Sequence, residues 1–434
     1  MRIDIEGGRI AAVTSDACAD GAQHCPGIAL PGLPNLHSHT FQRGMAGFAE
    51  RRGDSEDNFW TWRQVMYHFL GLLTPDDIEA IAAFAFVEML ESGFTSVAEF
   101  HYLHHAPDGR PYGNPAELSE RVIAAAIATG IGLTLLPVLY GASGFGGAPT
   151  ADGQRRFSNP LDRFLDLAGR AETSALKHGF QFGVAPHSLR AAPSETLKGL
   201  LAARRSGPVH IHVAEQTREV EDCIAWSGKR PVEWLFDNVA VDERWCLIHA
   251  THTNETEIRL MAESGAVAGL CPITEANLGD GIFAAKAYLE HGGRFGVGSD
   301  SQIDIDAPGE LRQLEYSQRL AHRARNVLSS RTGRSTGREL YERALTGGAQ
   351  ALARAAGALA LGKAADIVVL DAGHPNLAHA SGDRWLDAYL FTSPANIVRD
   401  VFVTGRHVVG AGRHRDRERI ETAYKRVLAR IGDV

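Results

Sequence analysis

The chain has 434 residues, 44% of them hydrophobic and 22% charged, which is an ordinary composition for a globular protein. This length allows one large core together with a second, smaller unit. The formal net charge is −8 and the sequence contains no basic run, so we expect no nucleic-acid partner.

Segments for export or membrane insertion are not evident. The first twenty residues lack the apolar core of a secretory signal peptide. No uncharged apolar stretch reaches the roughly 18 residues that a membrane span needs, so we expect no membrane contact. The five cysteines form no CxxC pair and predict free thiols in a reducing cytoplasm. They are Cys18, Cys25, Cys223, Cys246 and Cys271.

The chain begins with short strand patterns and turn signals over residues 1–27. From residue 28 onward, short runs rich in Val, Ile and Leu alternate with helical patterns, which indicates βα units and a parallel sheet. Eight such runs predict a closed (β/α)8 barrel of the TIM type over residues 28–354. The strands are predicted at 28–37, 95–102, 132–139, 180–187, 208–214, 244–250, 266–272 and 294–300, with helices at 75–92, 115–129, 159–178, 193–205, 253–263 and 283–291.

Three connections in this barrel are long, at 40–74, 103–114 and the Gly-rich 141–154. Long loops on the catalytic face of a barrel shape the substrate pocket. His101, His104 and His105, in or next to the second of them, are expected at the surface or along the pocket.

The last part of the chain changes character again. Residues 306–354 look helical and lead into short strand patterns over 355–412. Together with residues 1–27, residues 355–434 predict a small, β-sandwich-like domain built from both chain ends. A final amphipathic helix is expected near 415–430.

Polar residues stand mostly at the carboxyl ends of the predicted barrel strands. In a barrel those ends converge on one mouth, where active sites lie. The residues concerned are His37 and His39 after the first strand, Glu99, His101 and Tyr102 at the second, His187 at the fourth, His212 at the fifth, His249 at the sixth and Asp300 at the eighth.

Part of this set has the composition of a metal site. His37 and His39 form an HxH pair whose side chains point to the same side of the strand. With His212 and Asp300 they give three imidazoles and a carboxylate, which suit Zn²⁺ or a similar divalent ion. Zinc lowers the pKa of bound water to about 7. Asp300 can accept the proton of that water, and Glu215, in the sequence HVAE, can protonate a leaving nitrogen.

The order HxH, then HxxE, then His, then Asp resembles the amidohydrolase superfamily over most of the chain, including LGKAADIVVLD at 361–371. The resemblance implies His37, His39, His212 and Asp300 as metal ligands. It implies Glu215, His249 and Asp300 as the catalytic groups.

The resemblance also bears on the number of metal ions. Binuclear members carry a modified lysine at the end of the fourth strand, where this chain has His187, so one ion per chain is implied. Zinc is expected, and the ligand types also suit Fe²⁺ or Mn²⁺.

The substrate is indicated by residues in the loops around the mouth. Arginines near a catalytic mouth bind carboxylate or phosphate through a bidentate guanidinium, although each could instead form a surface salt bridge. Gln42, Arg63, Tyr102 and Arg190 occupy such positions.

Several segments narrow the resemblance further. HSHTFQRGMAG, EFHYLHH, VAPHSLRA, HIHVAEQ and CPITEANLGDGIF are together similar to the deiminases that act on N-formimino-L-glutamate in bacterial histidine degradation. The implied reaction gives N-formyl-L-glutamate and ammonia from a small dicarboxylate amidine. The family's substrate contacts fall on Gln42, Arg63, Tyr102 and Arg190, and His187 is expected to line the same pocket. A homodimer is common for such barrels.

Two other functions stay open at this point. A nucleobase or nucleoside aminohydrolase, acting on guanine or an adenosine derivative, would need a stacking slot that Phe59, Trp60 and Trp62 could supply. A non-catalytic barrel that serves in assembly would be expected to lose metal ligands or Glu215, and all of these are present.

Overall fold

The computed structural model describes residues 1–17, 21–53, 57–392 and 397–432. Two strands, β1 (Arg2–Glu6) and β2 (Arg9–Thr14), form an antiparallel ribbon at the start of the chain. The next elements are β3 (Ile28–Pro31), β4 (Leu33–Ser38), α1 (Phe59–Leu70), α2 (Pro75–Ser92), β5 (Phe94–His101), α3 (Glu117–Thr129), β6 (Gly132–Leu139), α4 (Leu161–Lys177), β7 (Gln181–Phe182), β8 (Ala185–Pro186), α5 (Ser194–Ala203) and β9 (Val209–Val213).

The second half continues the alternation and then returns to strands. Its elements are α6 (Thr217–Ser227), α7 (Pro231–Asn238), β10 (Trp245–His249), α8 (Glu255–Ser264), β11 (Val267–Leu270), α9 (Pro272–Leu278), α10 (Ala285–Glu290), β12 (Arg294–Val297), α11 (Ala307–His322), α12 (Thr336–Ala351), β13 (Ile367–Leu370), α13 (Arg384–Phe391), β14 (Val398–Val403), β15 (Arg406–Gly410), β16 (Arg413–His414) and α14 (Arg417–Ile431).

The central sheet is a closed parallel barrel. Its strands pair in the order β7-β6-β5-β4-β12-β11-β10-β9, and β8 pairs with β6 beyond β7. Parallel bridges between Val184 and Val209 and between Ser188 and His212 join the two ends of this order. The predicted TIM-type barrel is therefore confirmed, with β7 and β8 sharing the fourth position.

Two predicted strands are each divided at a glycine. The strand predicted at 28–37 was wrong as a single element, because β3 pairs with β13 in a second sheet and only β4 enters the barrel. A Cβ added to Gly32, between them, would lie 2.1 Å from the side chain of Thr95. At Gly183, between β7 and β8, a Cβ would lie 2.4 Å from the carbonyl oxygen of Pro208. Both turns need a residue without a side chain.

The stretch 40–74 is not the loop that the sequence predicted. Residues Thr40–Met45 form a short 3₁₀ helix, and α1 occupies Phe59–Leu70. The Asn58 side chain caps α1 by accepting a hydrogen bond from the backbone N–H of Trp60. Residues 54–56 of this stretch lie outside the described part of the chain.

The chain ends form a small antiparallel sheet in the order β16-β15-β14-β13-β3, next to the β1-β2 ribbon. A bridge between Arg9 and Ala364 connects the ribbon to the C-terminal segment. The expected last helix is present as α14, and the ring of Tyr424 stacks on Phe84 of α2 with centroids 4.1 Å apart. Residues 18–20, 393–396 and 433–434 of the predicted terminal unit are not described.

The cysteines and the helices were predicted to form free thiols and no membrane span, respectively. Cys223, Cys246 and Cys271 are buried free thiols and Cys25 is a partly buried one, whereas Cys18 lies outside the described residues. Among the described helices, none combines the length and apolar character that a bilayer crossing requires.

Candidate active site and metal centre

The carboxyl ends of the barrel strands surround one pocket. Nearly all of the residues that the sequence singled out line it, and His37 lies fully buried beside His39 and His212. The predicted residues along the wall are His39, Gln42, Arg63, Tyr102, His187, Arg190, His212, Glu215, His249 and Asp300.

Three imidazoles point their Nε2 atoms at one another at the base of this pocket. His37 Nε2 lies 3.2 Å from His39 Nε2 and 3.0 Å from His212 Nε2. The Oδ1 atom of Asp300 lies 3.4 Å from His37 Nε2 and 3.3 Å from His39 Nε2. The three imidazoles therefore form one cluster, and the Asp300 carboxylate lies beside two of them.

The hydrogen bonds on the far side of two rings fix which nitrogen carries the proton. His39 Nδ1 lies 2.9 Å from the carbonyl oxygen of Phe100, and His212 Nδ1 lies 3.1 Å from that of His187. Each Nδ1 must donate to its carbonyl, so each Nε2 presents a lone pair to the centre.

This arrangement fits a divalent cation. A proton on His37 Nε2 could form a good hydrogen bond with only one acceptor. It could not serve the Nε2 atoms of His39 and His212 and the carboxylate of Asp300 at the same time. Tetrahedral ligands at about 2.1 Å from zinc lie about 3.4 Å apart, close to the separations observed here. Nitrogen and carboxylate donors at this spacing suit zinc, iron or manganese.

Burial also keeps these imidazoles neutral. It lowers the pKa of His37 to about 3, against the opposing effect of Asp300, and it lowers the pKa of His39 and His212. Burial alone would raise the pKa of Asp300, but the contacts with His37, His249 and His39 hold it below its usual range. Neutral imidazoles and an ionised carboxylate are the forms that bind a metal.

Beside the convergent donors lies a pair of groups suited to proton transfer. Burial, with contributions from Glu219 and Asp300, raises the pKa of Glu215 to about 7, although His249 and Arg190 oppose the shift. His249 Nε2 lies 3.7 Å from Glu215 Oε1 and 3.8 Å from Asp300 Oδ2. A carboxyl group with a pKa near neutrality can both accept and deliver a proton at physiological pH.

His249 is held by a carboxylate that the sequence did not single out. Glu275, on α9, lies with its Oε1 3.2 Å from His249 Nδ1 and also accepts a hydrogen bond from the backbone N–H of Cys271. Burial lowers the pKa of His249, but Glu215, Glu275 and Asp300 together outweigh it and raise the pKa to about 10. Position 249 therefore presents a cationic imidazolium between carboxylates.

The backbone is strained at two of these positions. His249 has φ of 66° and Asp300 has φ of 42°, in the left-handed region that side chains other than glycine seldom adopt. Such conformations are concentrated at active sites, where the surrounding fold over-determines them.

The arginines lie on the outer side of the pocket. Arg190 is buried, and its Nη2 lies 3.8 Å from both Glu215 Oε2 and Glu219 Oε2. Arg63 lies on α1 with its guanidinium carbon 4.5 Å from the ring centroid of Trp60. The Nε atoms of both arginines are buried without a hydrogen-bond partner among the described residues.

Gln42 and Tyr102 form a further part of the wall. Gln42 Nε2 donates to the hydroxyl oxygen of Tyr102 at 3.0 Å, and that hydroxyl lies 3.2 Å from Met66 Sδ. Gln42 Oε1 is buried and has no partner in the described structure. An unsatisfied buried acceptor beside the convergent imidazoles indicates a ligand that donates a hydrogen bond there.

The prediction that three histidines lie at the surface or along the pocket was wrong. His101, His104 and His105 are buried and do not line the pocket, and His104 Nε2 instead donates a hydrogen bond to the carbonyl oxygen of Val138.

Glu219 and Glu275 were missed because they lie on helices that follow strands. The sequence signals them only by spacing. Glu219 follows Glu215 by four residues and Glu275 follows Cys271 by four residues, which is about one helical turn.

Known proteins with a similar sequence or structure show the family to which the chain belongs. Residues 28–408 match the family described as the Amidohydrolase family. Over 427 residues the chain is 53% identical to a Pseudomonas aeruginosa protein named formimidoylglutamate deiminase, covering 98% of this chain and 94% of that protein. A crystal structure of an amidohydrolase from Brucella melitensis superposes with a TM-score of 0.95 at 51% identity, covering 99% of this chain and 95% of the other.

A more distant relative acts on a different class of compound according to its name. The Natronomonas pharaonis protein named 5-methylthioadenosine/S-adenosylhomocysteine deaminase is 28% identical, over 86% of this chain and 80% of that protein. The similarity thus extends to a protein whose name describes a deaminase of adenosine derivatives.

Proposed function

Because the chain belongs to the amidohydrolase family, we propose that it hydrolyses N-formimino-L-glutamate to N-formyl-L-glutamate and ammonia, a step of histidine degradation. The observation that carries this proposal is the presence of Arg63 and Arg190 in the same pocket as the convergent imidazoles. A substrate with two carboxylates and an amidine requires both features.

The metal centre is proposed to consist of His37, His39, His212 and Asp300, holding one divalent ion per chain, with zinc as the expected metal. An ion bound there supplies Lewis-acid chemistry, which lowers the pKa of water from 15.7 to about 7.

The proton transfers are proposed for the chain's own side chains. Asp300 Oδ2 faces His249 and can accept a proton from the attacking water. Glu215 protonates the nitrogen that leaves, so that water adds its oxygen to the formimino carbon while the C–N bond breaks and ammonia departs. The imidazolium of His249, between Glu215 and Asp300, stabilises the negative charge that develops on the attacking oxygen.

Substrate recognition is proposed to involve Gln42, Tyr102, His187, Arg63 and Arg190. The unpartnered Oε1 of Gln42 can accept a hydrogen bond from the N–H of the cationic formimino group. The arginines match carboxylates because the guanidinium donates two parallel hydrogen bonds. Burial in the pocket makes each of these contacts stronger than it would be in water.

The alternative of a purine substrate finds less support, because Trp60, one of the three aromatic residues offered as a stacking slot, does not line the pocket. The ring of Trp60 is covered by guanidinium groups, with Arg63 at 4.5 Å, Arg218 at 5.0 Å and Arg190 at 5.8 Å from its centroid. Phe59 and Trp62 stack on each other at 6.1 Å. A non-catalytic role is disfavoured because the ligand set and Glu215 converge in one pocket.

A direct comparison of substrates tests the proposal. Ammonia release is measured for N-formimino-L-glutamate, guanine, adenosine and 5′-methylthioadenosine with the same enzyme sample. We expect kcat/KM for N-formimino-L-glutamate to exceed that for each purine by at least ~10⁴, since a site built to pair buried charges rejects compounds that lack them. A purine turned over as well as N-formimino-L-glutamate would refute the assignment.

We also propose a cytoplasmic location and a homodimer. The three buried free thiols fit a reducing compartment. Tyr316 and Leu320, one turn apart on α11, are 37% and 78% exposed and offer an apolar surface for a second copy. Light scattering of the purified protein measures the oligomeric state.

A further inference from the structure

Glu99 of β5 is a buried carboxylate that the proposed reaction does not use. The sequence predicted it at the mouth of the barrel, but it does not line the pocket, and only 1% of its surface is exposed. Among the described residues, no cationic side chain pairs with it. Burial of a carboxylate without a cationic partner is costly, so a specific set of contacts must compensate for it.

The contacts of Glu99 go to the two residues that flank His39. Glu99 Oε2 accepts a hydrogen bond from Ser38 Oγ at 2.6 Å. Glu99 Oε1 accepts from the backbone N–H of Thr40 at 2.8 Å and from the Thr40 hydroxyl at 2.7 Å. Phe100, the next residue along β5, accepts from His39 Nδ1 at 2.9 Å. Two neighbouring residues of β5 therefore hold the His39 segment, one through the backbone on both sides of it and one through the ring.

Ser38 extends these contacts to the turn that carries Asp300. Gln302 Nε2 donates to Ser38 Oγ at 3.0 Å and to the carbonyl oxygen of Asp300 at 2.8 Å. The amide orientation is fixed because Gln302 Oε1 accepts from Ser299 Oγ at 2.8 Å. Asp300 and Gln302 have φ of 42° and 58°, so the same amide also holds a strained turn in place.

The hydrogen bonds along this chain of side chains run in one direction. Asn35 Nδ2 donates to Ser299 Oγ at 2.6 Å, and that hydroxyl donates to Gln302. Gln302 donates to Ser38, whose own proton goes to Glu99. The series of donors therefore ends on a carboxylate, which accepts hydrogen bonds at both oxygens and donates none.

We propose that Glu99 is a positioning residue of the metal centre. Through the residues that flank His39 it fixes the place of that imidazole, and through Gln302 it ties this place to the backbone of Asp300. A divalent cation at the neighbouring imidazoles would also balance its negative charge. This inference rests on the metal centre of the proposed function and is independent of the substrate.

Metal binding tests this role without any turnover. The variant Glu99→Gln keeps the size of the side chain, but its amide NH2 faces donors that need an acceptor. We expect zinc binding, measured by competition with a chelator, to weaken about 10- to 100-fold, as for other changes behind metal ligands. The visible absorption bands of the cobalt-substituted protein report the arrangement of the ligands, and they should shift relative to wild type.

The matched control is Glu315→Gln on α11. Glu315 is also a buried carboxylate, and it accepts hydrogen bonds from the backbone N–H groups of Val327 and Leu328 at 2.9 and 3.0 Å, but it does not line the pocket. Its loss should lower the thermal stability, while zinc affinity stays within about twofold of wild type because the two sites are independent. The cobalt spectrum should not change. A general loss of stability would thus appear in both variants, and a changed metal centre only in Glu99→Gln.

Ser38→Ala serves if Glu99→Gln fails to fold, because it removes only the link between Glu99 and Gln302. It should weaken zinc binding about 10-fold and shift the cobalt bands as well. Where both variants fold, the double variant should lose less zinc affinity than the product of the two single losses, since both changes break the same chain of hydrogen bonds.

The outcomes separate this inference from the proposed function. Zinc affinity and cobalt spectra that stay as in wild type in Glu99→Gln and Ser38→Ala, or that change equally in Glu315→Gln, would overturn the role of Glu99 even in an active deiminase. If wild type binds zinc but releases no ammonia from N-formimino-L-glutamate, the substrate is refuted, whereas a loss of zinc affinity confined to Glu99→Gln and Ser38→Ala still supports the inference. Wild-type protein that binds no zinc would overturn both.

Discussion

At the scale of single residues, the site depends on polar groups that the sequence marks by their position. His37, His39, His212, His249 and Asp300 could be found because each stands at the end of a predicted strand. Their partners could not, because Glu219 and Glu275 project from the helices that follow and meet the site only in three dimensions. The left-handed backbone at His249 and Asp300 has no sequence signal either, since neither is a glycine.

Glu215 gives the first prediction at this scale. Glu215→Gln keeps the shape of the side chain but cannot transfer a proton, so kcat should fall at least ~10²-fold. Metal content should be unchanged, because Glu215 is not among the four convergent donors. Metal analysis and ammonia release from the same preparation measure both. The exposed Glu195→Gln on α5 is the matched control, and a kcat within a few-fold of wild type in Glu215→Gln would remove Glu215 from proton transfer.

At the scale of elements, the barrel and the terminal sheet follow from the alternating patterns, and the errors have local causes. At Gly32 the chain passes from the terminal sheet into the barrel. The pattern of apolar residues is the same on both sides of this glycine, so it does not reveal the change of sheet. Helix α1 was missed although Asn58 and Thr61 form a capping box ahead of an apolar face. The aromatic content of FWTWRQVMYHFL favours strands and loops as well as helices.

Helix α9 shows how a short element positions a distant group. Its first turn is anchored by the buried Glu310, which accepts a hydrogen bond from the backbone N–H of Ile273 at 3.0 Å. Glu275, in the same turn, accepts a hydrogen bond from the backbone N–H of Cys271 and contacts His249. The helix thereby holds the imidazole ring and fixes the position of its proton.

Replacing that carboxylate tests the role of α9. In Glu275→Gln the charge that supports the imidazolium is removed, so the pKa of His249 should fall. If the imidazolium acts in turnover, kcat should drop about 10-fold or more, and the alkaline decline of kcat should move to lower pH. Metal content should not change. A pH profile of kcat measures this, with the exposed Glu255→Gln on α8 as the control. Identical profiles for Glu275→Gln and wild type would contradict the assignment.

At the scale of the whole molecule, the terminal sheet supports the strand that carries two of the imidazoles. The backbone N–H of Gly32, just before β4, donates to the carbonyl oxygen of Asp366, and the Asp366 carboxylate pairs with Arg354 at 2.9 Å. Tyr341 of α12 donates to the carbonyl oxygen of Pro31 at 2.7 Å. The sequence predicted a small β unit built from residues 1–27 and 355–434. It did not predict that β3, at 28–31, joins this unit or that the unit anchors the entry to β4, because the contacts join residues more than 300 positions apart.

The residues of the pocket together predict a metal-dependent hydrolysis with two products. The most direct measurement counts ammonia and N-formyl-L-glutamate formed from N-formimino-L-glutamate by protein of known metal content, before chelation, after chelation and after zinc is restored. We expect about one divalent ion per chain, as four convergent donors hold a single ion. The two products should appear in equal amounts, disappear with the metal and return with it. Metal-loaded protein that forms neither product, or protein that keeps its full activity after the metal is removed, would contradict the account.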